Sequence, residues 1–177
     1  MKLFRSVFTA SAMLISIFVI SSLAQKKPVK KPVPKKPPVA KTVVPPLDVR
    51  VAREKVENQL ANVNRFVDVL GPIAQGIEDI DRESRSKRLP QTTINTNEAN
   101  KRKVIEAIRN MKAGLLALES EFRTKPALSK YLTSIEGITD LASESEDSAI
   151  AGGFVSAKDP LRNVALKLTD TLAVMPK

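Results

Sequence analysis

The chain has 177 residues, with 29 Lys and Arg against 19 Asp and Glu, a formal net charge of +10. It has no Cys, His or Trp. No disulfide, Cys/His zinc site, covalent haem attachment, Cys nucleophile or His-based acid–base catalysis is therefore open to it.

Residues 1–24 read as an export signal. Lys2 and Arg5 start it, an uncharged stretch runs from Val7 to Ala24, and Ser22-Leu23-Ala24 places small residues where a signal peptidase reads. Cleavage is expected between Ala24 and Gln25. The competing expectation is an uncleaved N-terminal helix that anchors the protein, because this stretch just reaches the length that crosses a bilayer. Either way the protein is expected outside the cytoplasm, secreted or periplasmic. No Cys is present for lipidation.

Residues 25–46 have a composition of their own. Lys26, Lys27, Lys30, Lys31, Lys35, Lys36 and Lys41 alternate with seven of the chain's 12 prolines, with no acid. Proline fixes φ and removes amide donors, so an extended, polyproline-like arm is expected. Seven lysines on a stiff arm suit an anionic cell-wall or membrane surface, although a plain spacer accounts for the composition too. The signal carries +2 and the arm +7, which leaves +1 for residues 47–177. A nucleic-acid-binding domain would carry its excess charge on a folded face, so nucleic acid is not an expected partner.

Residues 47–177 show helical periodicity and no useful alternation. The first stripe is Val49, Ala52, Val56, Leu60, Val63, Val67, Leu70, Ala74 and Ile77, crossing Gly71-Pro72 in phase. It predicts one kinked helix, with two abutting helices as the second choice. Polar Asp81–Thr92 predicts a loop, with Arg82, Arg85, Lys87 and Arg88 as a basic cluster in it that reads first as solvated loop and second as a contact for an anionic partner. A second helix is expected near Thr96, capped by Asn95 with Glu98 reaching back. Its stripe is Val104, Ile108, Met111, Leu115, Leu118 and Phe122, widened by Ile105 and Leu116. The pair Glu98 and Arg102 is ordinary helix support.

The third stripe is Leu128, Leu132, Ile135, Ile138 or Thr139, and Ala142, closed by Ser143–Ser148 and Gly152-Gly153. Asp159 reads as the N-cap of a fourth helix with Pro160 in its first position, and Leu161, Ala165, Leu168, Leu172 and Met175 form its stripe. The expected fold is all-α, an antiparallel up-down-up-down four-helix bundle with unequal helices. Excess length in the first is taken up by a fold-back at Pro72 or by a projecting end, which reads equally as an interaction surface or as a frayed helix end.

Candidate chemistry is sparse. The bundle di-iron pattern needs His, and Met111 and Met175 read as packing rather than haem ligands. Only Thr139 is a polar candidate for the stripes, so the interior is expected to be apolar throughout. Glu144, Glu146 and Asp147 lack calcium-loop spacing and read as a solvated helix end. No cofactor and no catalytic residue is expected. The expectation is an exported, non-catalytic bundle with a structural or partner-binding role, a holdase-like chaperone being one variant. The alternatives are a carrier of a small apolar ligand, or an enzyme with a surface carboxylate/lysine site.

Overall fold

The structure, a computed structural model, describes residues 45–177. The signal, the Ala24–Gln25 junction and the seven arm lysines lie outside the described residues. Among the described residues the protein is all-helical: α1 (Leu47–Ser86), α2 (Gln91–Thr124), a short α3 (Leu132–Ile135), α4 (Ile138–Ile150) and α5 (Lys158–Val174).

The first stripe becomes α1, a helix of 40 residues that continues through Pro72. Gly71 explains how. The residue before a proline is disfavoured in the helical region because its Cβ clashes with the proline ring, and glycine has no Cβ. Val49, Ala52, Val56, Val63, Leu70, Ala74 and Ile77 are buried, and Leu60 and Val67 are half-buried against them.

The expected loop at Asp81–Thr92 is mostly helix. α1 runs on to Ser86, and α2 starts at Gln91. Pro90, with φ fixed at −55°, starts α2, and its carbonyl accepts from the amides of Thr93 and Ile94. Asn95 is therefore inside the helix rather than at its cap, and its side chain accepts from Gln91 Nε2. Glu98 pairs with Lys101 instead of closing a capping box or meeting Arg102. The second stripe holds at Val104, Ile108, Leu115, Leu118 and Phe122. Leu116 does not widen it. It is 55 % exposed, lying beyond the edge of the buried face.

The third segment is broken. A 3-10 turn at Ser129–Tyr131 leads into α3, and Gly137 then takes φ +88°, a left-handed conformation that stops α3 and re-aims the chain into α4. Gly152, at φ +90°, ends α4. The Gly153 amide donates to Ser148 O and the Gly152 amide to Ala149 O, the paired closing bonds of a Schellman turn.

α5 begins earlier than its sequence signal. The residues before it already turn: Ala157 N donates to Gly153 O and Lys158 N to Val155 O. Asp159 is thus in the first turn, paired with Arg162, and is not the N-cap. The buried face is Leu161, Val164, Leu168, Thr171 and Met175. Ala165 and Leu172 are half-buried at its edge.

Each long helix packs on two neighbours, α1 on α2 and α5, and α4 on α2 and α5. The bonds between them show their sense. Arg53, near the start of α1, donates to Leu172 O and Met175 O at the end of α5. Lys55 pairs with Glu121 at the end of α2. One core fills the space between them, from Val49 and Met175 at one end to Ile77 and Phe154 at the other.

Candidate functional site

The core stops before α1 and α2 do. Between Ile77 and Asn97 no residue is buried, and Arg82 to Arg88 are all exposed. The final layer is polar. Asn97 Nδ2 donates to Ile77 O at 3.3 Å and to Asp81 Oδ1 at 2.8 Å. Lys101 Nζ lies 2.7 Å from both Asp81 and Glu98. Burial works against the Lys101 charge, but the hydrogen bonds to Asp81 and Glu98 outweigh it and hold its pKa above the usual lysine value. Beyond this layer the two helices run on as a polar hairpin, closed by Lys87–Pro90.

A cleft forms where the hairpin meets the α4–α5 turn. It has a volume of about 240 Å³ and is lined by Glu78, Asp81, Arg82, Arg85, Gly152 and Gly153. Glu78 positions the turn, its Oε1 accepting from Val155 N at 2.7 Å. A wider cleft of about 570 Å³ adjoins it, with Lys158, Asp159 and Arg162 on its wall. Arg82 pairs with Asp79 and Arg162 with Asp159, both at 3.0 Å. Arg85, Arg88 and Lys158 form no ion pair among the described residues. The cleft therefore offers guanidinium and ammonium donors around a rigid turn, with fixed carboxylates between them. This suits recognition of a charged partner surface. Arg82, Arg85, Lys87 and Arg88 are brought together at the tip, as the sequence suggested, but Arg82 and Arg85 sit on α1 rather than in a loop.

The interior departs from the apolar expectation. Glu119, Glu146, Asn97, Ser145 and Thr171 are buried. Glu119, on α2, accepts from Gly137 N, Thr139 N and Thr139 Oγ1, and from Arg123. It thus caps the N-terminus of α4, which has no cap of its own. Burial alone would raise its pKa, but the bonds from Arg123, Thr139 and Gly137 hold it below the usual carboxylate value. Glu146 accepts from Lys112 and Arg109 on α2, and these two cations hold its pKa down. Of the expected solvated acidic end, Glu146 is therefore an interior residue, while Glu144 and Asp147 are exposed. Both buried carboxylates are ionised and occupied in tying α4 to α2. Neither has the raised pKa of a general acid or base poised near neutrality.

A signal for these residues existed in the phase of the stripes. Glu119 follows Leu115 by one helical step of four, Glu146 follows Ala142 in the same way, and Asn97 precedes Val104 by a heptad. Their polar side chains keep them out of the apolar pattern.

A groove of about 450 Å³ at the opposite end is lined by Pro45, Pro46, Val49, Pro126, Ala127, Lys130, Tyr131 and Pro176. Lys130 Nζ sits 4.8 Å from the centre of the Tyr131 ring, a cation–π contact. Among the described residues no cluster of three or more acidic side chains is placed to hold a metal ion, and no helix is long and apolar enough to cross a membrane. The chain matches no protein-family profile, no curated protein and no solved structure.

Proposed function

We propose that this is an exported, non-catalytic protein that works by binding, with a structural or partner-binding role in the cell envelope. In this reading the signal is removed after Ala24. The Lys/Pro arm reaches an anionic cell-wall or membrane surface, and an up-down-up-down four-helix bundle presents the α1–α2 hairpin to a protein partner. The broken third segment, α3 with α4, takes the third position in the bundle.

The observation that supports this most is the hairpin itself. Two helices extend past the end of the core, hold together through the Asn97–Asp81–Lys101 layer, and expose Arg82, Arg85, Lys87 and Arg88, with Leu89, Thr93 and Ile94 only half-buried between them. A rigid polar projection has no use in making a core and is well formed for contact. The two buried carboxylates, each committed to ion pairs, favour binding over catalysis.

Two variants of the full chain test the reading. In one, the seven arm lysines become Gln; in the other, Arg82, Arg85, Lys87 and Arg88 become Gln. Retention on isolated envelope material is measured across a salt series. The arm variant should elute at distinctly lower salt than the parent. The hairpin variant should lose a partner cross-linked in cells while keeping its thermal stability. Parent-like elution of the first and a parent-like cross-link for the second would overturn the proposal.

A further inference from the structure

α1 carries a second apolar stripe. Phe66, Val69, Ile73, Gly76 and Ile80 follow one another at intervals of 3, 4, 3 and 4. Asn62, one step of four before Phe66, ends the line with a polar side chain. At about 100° per residue this line lies roughly a quarter-turn from the buried face. It is open to solvent at its centre, Val69 being 54 % and Ile73 41 % exposed. Gly76 has nothing within 4 Å of where a Cβ would stand. Phe66 and Ile80 are half-buried, and Asn62 is exposed.

The stripe is self-complementary. Take two copies of α1 antiparallel, with their two-fold axis near Gly71. Val69 then meets Ile73, so two aliphatics face each other at the centre. On either side Phe66 meets Gly76, the largest side chain of the stripe against the one residue that leaves a hole for it. Beyond these layers Ile80 faces Asn62, and the contact passes from an apolar centre to a polar rim. In heptad terms Phe66, Ile73 and Ile80 are a positions, and Asn62, Val69 and Gly76 are d positions, the a-to-d layering that an antiparallel helix pair requires.

The flank has matching charge. Arg65 and Asp79 are the g positions at the two ends, with Pro72 between them. The two-fold places Arg65 of one copy beside Asp79 of the other, twice. Arg65 is exposed and forms no ion pair among the described residues; Asp79 is exposed and pairs with Arg82 on its own helix. A single copy uses this face only in part: Phe66 packs against the edge of the core and Asp79 meets Arg82 and Gln75, while Val69 and Ile73 stay exposed.

We infer that this face of α1 is the interface of a two-fold homodimer, and that its occupant is a second copy of this chain. The dimer buries Val69 and Ile73, leaves the hairpin tip and its cleft outside the contact, and so presents two tips pointing in opposite directions.

The chain has no Cys, which makes disulfide trapping clean. The full chain carrying Val69→Cys and Ile73→Cys is oxidised in cells beside a control carrying Asp68→Cys and Gln75→Cys, which are exposed but off the stripe. The stripe variant should give a covalent species of twice the chain mass, with a yield at least tenfold above the control. Adding Arg65→Asp should cut that yield several-fold, and adding Asp79→Arg as well should restore it. No dimer, an equal yield from the control, or trapping of a species of another mass would overturn the inference. So would failure of the charge swap to restore the yield, because the swap inverts the pair without altering the apolar layers.

Discussion

Glu119 joins the last turns of α2 to the first turn of α4. Its carboxylate takes the Gly137 and Thr139 amides and the Thr139 hydroxyl while Arg123 closes the pair from its own helix. Replacing it with Ala leaves two amides at the start of α4 without an acceptor and Arg123 without its nearest partner. Glu119→Ala should therefore lower unfolding stability by about 1–3 kcal/mol, read from denaturant melts. A change below about 0.5 kcal/mol would mean that water caps α4 equally well. This residue also marks what the sequence hid. A glutamate on a helix reads as solvent-facing, and only its place one step of four after Leu115 betrays it. The donors it serves come from a turn at Gly137 whose left-handed backbone no local pattern announces.

At the level of helices, the legible parts are those whose burial repeats. Seven of the nine residues named in the first stripe are buried, because α1 faces α2 and α5 along that line. The ends are illegible for the same reason. Asp81–Ser86 and Gln91–Thr96 have no third helix to face, so no apolar period records that they are helical. Asp159-Pro160 resembles a cap signal, yet the cap of α5 is Ala157, since the chain before the proline is already turning. Leu115, 0 % exposed in the middle of α2, tests the face as drawn. Leu115→Ala should cost about 2–5 kcal/mol in a denaturant melt, and a loss below about 0.5 kcal/mol would show that the α2 face is wrongly assigned.

For the molecule as a whole, the absence of His leaves no side chain that normally titrates between about pH 5 and 8. The groups that matter are carboxylates. Glu119, Glu121 and Glu146 all have folded pKa values below the ordinary glutamate value of 4.5, so the folded state prefers them ionised. Their contribution is present above that value and is lost as pH falls through the lowered folded values. The melting temperature should stay nearly level from about pH 5.5 to 8 and drop only below about pH 4.5. The variant with both Glu119→Gln and Glu146→Gln should start lower and lose less on acidification. A midpoint that moved between about pH 6 and 7 would contradict the scheme.

The borrowed cap of α4 has a last consequence. A helix that finds its first acceptors on a neighbour cannot fray alone or form alone; its first turn exists only while α2 stands beside it. Amide exchange at Gly137 and Thr139 should therefore keep time with the opening of the α2–α4 seam rather than with local breathing. A fragment that begins after Thr124 should lose this helix even though every residue of it is present.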